Sequence, residues 1–134
     1  MQMVIFNLQG QQYAMKTEQV EEISKLIDIT PVPNAPSYIK GLINLRGNVI
    51  SLMELSKLLQ LQLQEDQKYQ NIIIAKTDNE MIGLLVGEIY EVMNIEQDRI
   101  EKIRAEEKEQ RGIKGIIQIE DRIVNVLELE ECFA

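Results

Sequence analysis

KGLINLRGNVISLMELSKLL, residues 40–59, and KGIIQIEDRIVNVLELEECF, residues 114–133, lie over each other for twenty residues without a gap, at an offset of 74. Identical residues meet at Lys40/Lys114, Gly41/Gly115, Ile43/Ile117, Glu54/Glu128 and Leu55/Leu129. Apolar residues meet at Leu42/Ile116, Leu45/Ile119, Val49/Ile123, Ile50/Val124, Leu52/Val126, Met53/Leu127, Leu58/Cys132 and Leu59/Phe133. Each copy reads as a strand, a tight turn, a second strand and a short helical turn. In the first copy Gly47 supplies the positive φ that a tight hairpin needs.

A weaker echo lies upstream of each copy. Tyr13 to Ile23 matches Ile82 to Val92 at an offset of 69, pairing Met15 with Leu84, Val20 with Ile89 and Ile23 with Val92. The order is therefore one unit, a second unit, then both again. Two similar β lobes account for it most simply. Many short strands in about 65 residues per lobe suggest two small barrels of SH3-like size, a mainly all-β fold with a few short helices. The chain reads as one domain, 1–134, of two lobes. Strands exchanged between the lobes are compatible with the repeat.

The remaining segments fit around these units. Met3 to Leu8 and Gln12 to Met15 read as strands about the turn Gln9-Gly10-Gln11. Thr17 caps a predicted short helix with Val20, Ile23 and Ile27 on its apolar face. TPVPNAP, residues 30–36, holds all three prolines and reads as a rigid, extended surface loop. The Gln-rich stretch 60–70 is the expected connection between lobes. Tyr69 to Lys76 and Met81 to Val86 form another predicted hairpin. The charge-dense segment 96–111 reads as a solvated loop or marginal helix.

Composition narrows the chemistry. The chain of 134 residues is 45% hydrophobic and 27% charged, with a net charge of −8. That balance disfavours phosphate neutralisation and anionic membranes, so neither nucleic acid nor membrane insertion is expected. The single cysteine, Cys132, permits no intrachain disulfide, and its place opposite Leu58 marks it as a small core hydrophobe. The N-terminus lacks the marks of a signal peptide, and no apolar run is long enough to cross a bilayer. A reducing cytoplasm is the expected compartment.

There is no histidine, which removes the commonest general base and most zinc sites. A lone cysteine without histidine is a poor nucleophile. Glu54 and Glu128 are equivalent positions at helix starts, beside a favourable dipole, rather than a catalytic pair. The expectation is a binding module with no catalytic residues, no metal and no cofactor. The copies differ at their hairpin tips, Arg46-Gly47-Asn48 against Glu120-Asp121-Arg122. A solvated turn explains Arg46 plainly; divergence toward different partners is the sharper reading.

VPNAPSYIKGLINLRGNVISLMELSKLL, residues 32–59, resembles the signature region of the CheW-like family, above all in Pro33-Asn34-Ala35-Pro36 and in Lys40-Gly41 to Asn44-Leu45-Arg46-Gly47. Tyr13-Ala14-Met15, Val20-Glu21-Glu22-Ile23, Gly83 to Val86 and Gly115 to Phe133 extend the resemblance over nearly the whole chain. It implies two five-stranded SH3-like barrels. It also implies an adaptor that bridges the cytoplasmic tips of transmembrane chemoreceptors to the histidine kinase CheA in receptor arrays. By position, it assigns Val20, Glu22, Gly41 and Arg46 to receptor coupling. A groove lined by Val20, Ile23, Leu42 and Val86 would take a receptor helix, with Arg46 bonding a carbonyl or carboxylate. Kinase contact is expected on a separate end surface through Ile29, Thr30 and Val32. Ser51 and Glu54 stand where the family often has Pro and Asp, and Gly87 where it often has Asp. A fragment of the CheA regulatory domain is the nearest alternative; a small β-barrel enzyme or sugar-binding module is the alternative from another class.

Overall fold

The computed structural model describes residues 1–64, 68–78, 80–102 and 112–133. Eleven strands follow one another among them: β1 (Gln2–Leu8), β2 (Gln11–Lys16), β3 (Val20–Lys25), β4 (Ile39–Leu45), β5 (Asn48–Glu54), β6 (Asn71–Thr77), β7 (Glu80–Val86), β8 (Ile89–Asn94), β9 (Glu101–Lys102), β10 (Ile113–Ile119) and β11 (Arg122–Leu127). One turn of α-helix, α1 (Leu55–Leu58), follows β5, and a 3-10 turn, Leu129–Phe133, follows β11. The fold is mainly β, in two SH3-like lobes. Most of the charged stretch 96–111 lies outside the described residues; its start holds a 3-10 turn, Gln97–Arg99, and β9.

The strands form two sheets, ordered β8-β1-β2-β11-β10-β9 and β3-β6-β7-β5-β4. The repeat is visible in the pairing. β5 runs parallel to β7, with Leu52 opposite Gly83, and β11 runs parallel to β2, with Val126 opposite Ala14. β3 pairs antiparallel with β6 and β8 with β1, each with an irregularity one residue after Val20 or at Ile5/Phe6, the equivalent place.

Each lobe mixes the two repeats. The chain starts in the six-stranded sheet, passes to the other through the 3-10 turn Thr17–Gln19, and returns after β7 at Gly87-Glu88. The stretch 60–70 was the expected passage between lobes. It instead leads from α1, which follows β5, to β6, and β5 and β6 belong to the same five-stranded sheet. Passage falls where a strand ends against the other sheet. The Gly87 N–H donates to the Asn7 carbonyl at 2.9 Å, and the Asn7 N–H to the Glu88 carbonyl at 2.8 Å.

Strand alternation divides the apolar side chains into three clusters. Met3, Ile5, Ala14, Ile117, Val124 and Val126 fill one lobe. The equivalents of five of them, Ile72, Ile74, Ile43, Ile50 and Leu52, fill the other, and Gly83 stands in the place of Ala14 against Leu52, Ile72 and Ile43. The opposite faces meet between the lobes, where Val4, Phe6, Tyr13 and Met15 pack with Ile73, Ala75, Ile82, Leu84, Leu55 and Leu129. Cys132 and Leu58 are both buried there, as their equivalence predicts. Gly112 lies so close to Cys132 that a Cβ would collide with its Sγ.

The predicted helix after Thr17 does not form. Only the 3-10 turn does, and residues 20–25 continue as β3. Burial alternates along it instead, with Val20, Glu22 and Ser24 turned inward and Ile23 outward, so its apolar spacing of three is not the period the segment adopts. Pairing with β6, which buries Ile72, Ile73, Ile74 and Ala75, decides the outcome.

Candidate functional site

The tip of the β4–β5 hairpin turns through Arg46 and Gly47, with φ of 51° and 87°. The Asn44 Oδ1 accepts a hydrogen bond from the Gly47 N–H at 3.0 Å. This geometry projects the Arg46 side chain toward β3, at the opposite edge of the same sheet. There Arg46 Nη1 donates to Glu22 Oε2 at 3.2 Å, and Nη2 donates to the other carboxylate oxygen. The fork is bidentate, which fixes the plane of the guanidinium. Glu22 pushes the Arg46 pKa upward, through the hydrogen bond first and its charge second. The side chains are 70% and 31% exposed, so solvent screens the pair and its contribution to stability is small.

Around this fork the predicted receptor residues divide. Ile23 is exposed, and Val20 and Leu42 are half-buried. Gly41 and Val86 are buried, Val86 completely, within the cluster between the lobes. Val86 therefore does not line a surface groove; its position at the end of β7 turns it into the core. Gly41 exposes no surface either. A Cβ there would collide with the Thr30 carbonyl oxygen and stand 2.7 Å from Ile29 Cγ2.

The predicted kinase residues do not occupy a separate surface. The Thr30 N–H donates to the Leu42 carbonyl and the Leu42 N–H to the Thr30 carbonyl, both at 2.8 Å. Residues 29–30 thus cross the outer edge of β4, directly over Gly41. Ile29 packs against the core of this lobe, whereas Thr30 and Val32 are exposed. A shallow cavity of about 240 Å³ is lined by Thr30, Leu42, Ile43, Asn44 and Val49, joining the two sets.

Two features escaped the sequence reading. Val49 and Ile123, equivalent in the repeat, are 67% and 60% exposed. Alternation carried the signal, because Ile50 and Leu52 take the inward positions of the same strand. The second is an ion pair in the other lobe. Arg122 Nη2 lies 3.4 Å from Glu91 Oε2, and Glu91 is the equivalent of Glu22. The arginine has moved from the first to the third tip residue, yet it still reaches the same strand position. Neither Glu54 nor Glu128 is free: Glu54 pairs with Lys57 at 2.9 Å and Glu128 with Lys114 at 3.8 Å. Among the described residues no cluster of His, Cys, Asp and Glu is placed to hold a metal ion. Among them, too, no helix is long and apolar enough to cross a membrane.

Fold and site together define a two-lobed β module whose exposed features are an ion-paired hairpin tip and the strands beside it. The chain belongs to the CheW-like family: the model of the CheW-like domain matches residues 2–134. It is 29% identical to the chemotaxis protein CheW of Thermotoga maritima over 94% of this chain and 83% of that one. Identity to the chemotaxis protein CheW of Bacillus subtilis is 33%, over 94% of this chain and 82% of that protein. The crystal structure of the scaffolding protein TtCheW from Thermoanaerobacter tengcongensis superposes with a TM-score of 0.85, covering 96% of this chain and 88% of that one at 28% identity.

Proposed function

We propose that this protein is a non-catalytic chemotaxis adaptor that couples chemoreceptor tips to the histidine kinase CheA. Membership of the CheW-like family across residues 2–134 carries the reading. The names of its relatives, chemotaxis protein and scaffolding protein, support it. The surface is compatible with it. Ile23 is exposed on β3 next to Glu22 and offers aliphatic contact to one face of a receptor helix, while Val20 and Leu42 are half-buried. The Arg46–Glu22 fork beside them holds a cation at a defined place, where a carbonyl or carboxylate of the helix can share it. In this reading Val20, Glu22, Ile23, Leu42 and Arg46 contact the receptor. Val86 acts from beneath, and Gly41 lies under the segment 29–30 without touching the receptor. Residues 29–32 meet the regulatory domain of CheA. The protein works in the cytoplasm, drawn to the membrane by its receptor partner.

Separate pull-downs with a soluble receptor-tip hairpin and with the CheA regulatory domain test this reading. Retention of both is expected. Retention of neither contradicts the adaptor function.

A further inference from the structure

Gly41 and Gly115 are equivalent in the repeat, and each lies under a crossing segment. At Gly41 the segment is Ile29-Thr30, hydrogen-bonded to Leu42. At Gly115 it is Ile100-Glu101, where Glu101 pairs with Ile116. A Cβ on Gly115 would lie 2.5 Å from the Glu101 carbonyl oxygen and 2.9 Å from Ile100 Cγ2, matching the obstruction at Gly41. In both places the obstacle is a backbone carbonyl, which cannot swing aside as a side chain does. A side chain on the glycine must lift the crossing segment.

We propose that Gly41 is a positioning residue for the kinase surface, not a receptor contact. Its bare Cα lets Ile29 and Thr30 sit down on β4, and their seat sets where Val32 is presented. Of the residues assigned to the receptor, Val20, Glu22 and Ile23 lie on β3, and Arg46 lies at the hairpin tip, five residues along the chain from Gly41. Leu42 alone touches the crossing segment, through its backbone, and its pairing with Ser51 of β5 holds it in place when that segment lifts. A substitution at 41 therefore acts on the loop above β4 first. This inference rests on the assignment of residues 29–32 to the kinase.

The experiment is a paired titration of the full chain with the CheA regulatory domain and with a soluble receptor-tip hairpin. The variants are Gly41→Ala, Gly115→Ala, Thr30→Pro and Val32→Glu. Gly41→Ala is expected to lower affinity for the kinase domain at least tenfold and to leave receptor-tip affinity within twofold. Thr30→Pro removes the N–H that bonds Leu42 and leaves β4 intact, so it should reproduce the same split; it decides the matter if Gly41→Ala does not fold. Amide exchange at Leu42 should quicken at least tenfold in both. Gly115→Ala puts the equivalent obstacle in the other lobe, and both affinities should stay within twofold. Loss of receptor binding with kinase binding intact overturns the proposal. So does an equal loss in Gly115→Ala, which would mean general destabilisation. Val32→Glu separates the two failures. If it leaves kinase binding unchanged, the kinase surface itself is misassigned; if it abolishes binding while Gly41→Ala and Thr30→Pro do not, only the role of Gly41 fails.

Discussion

Arg46 is a residue that spends its charge at home. Its guanidinium is held by Glu22, yet most of the side chain faces solvent. A pair this exposed contributes little to folding, so its geometry matters through the surface it shapes. Arg46→Glu places two carboxylates at the tip, and receptor-tip binding should fall at least tenfold while the urea midpoint barely moves. Isothermal titration and equilibrium unfolding of the same preparation check both halves. Tyr13 makes a different prediction. Burial pushes its hydroxyl pKa from 10.0 up to about 12. The unfolded chain releases that proton first as pH rises, so the folded form retains more protons between the two values. Stability from this group is intact below about pH 10 and is lost as pH climbs toward 12; the loss is on the order of 2–3 kcal/mol at most. Unfolding curves across that range should fall less steeply in Tyr13→Phe. An equal slope in both proteins would remove the assignment to Tyr13.

At the scale of elements, the hairpins were legible because their punctuation is local. Arg46-Gly47 sits between two apolar runs, and the repeat displays the pattern twice. The structure adds that Arg46 itself has positive φ, as does its equivalent Glu120. A Cβ on Gly47 meets nothing within 4 Å, so Gly47→Ala tests strain alone. With φ at 87°, it should cost about 1 kcal/mol, read from the urea midpoint at constant m-value. Segment 17–27 was illegible for the opposite reason. Val20, Ile23 and Ile27 fit a helical stripe, and Val20, Glu22 and Ser24 fit a strand face. Six residues do not separate the two periods, and the partner strand β6 lies some fifty residues away in sequence. The place of residues 29–30 against β4 was unreadable on the same grounds. Nothing in TPVPNAP announces that Thr30 pairs with Leu42.

For the whole molecule, the repeat predicted two lobes, and offsets of 69 and 74 recur in the strand pairings and in the equivalent cores. Which strands share a lobe was not readable from it. That depends on whether the chain crosses before or after a given hairpin, and equivalent hairpins are interchangeable to a sequence pattern. The exchange has an energetic consequence. Phe6 and Tyr13 of one sheet stack with ring centroids 6.2 Å apart, in the cluster that also holds Ile73, Leu84 and Leu55 of the other. Neither lobe keeps this core if the other opens. Phe6→Ala should cost about 3–5 kcal/mol and unfold both lobes in one transition. Protection factors measured by amide exchange on β5 and on β11 should drop together. A drop confined to the six-stranded sheet would show that the lobes are energetically separate.

An adaptor must also hold two partners at once, which is a property of the whole surface. The proximity of Thr30 to Leu42 brings the proposed kinase and receptor residues within one hydrogen bond of each other, so simultaneous occupancy is the demanding case. Analytical ultracentrifugation of a labelled receptor-tip hairpin with the CheA regulatory domain, with and without this protein, addresses it directly. The label should sediment with the kinase domain only when the protein is present, in a complex containing all three. If the two partners displace each other, or if the label never leaves its free position, the bridging function is wrong.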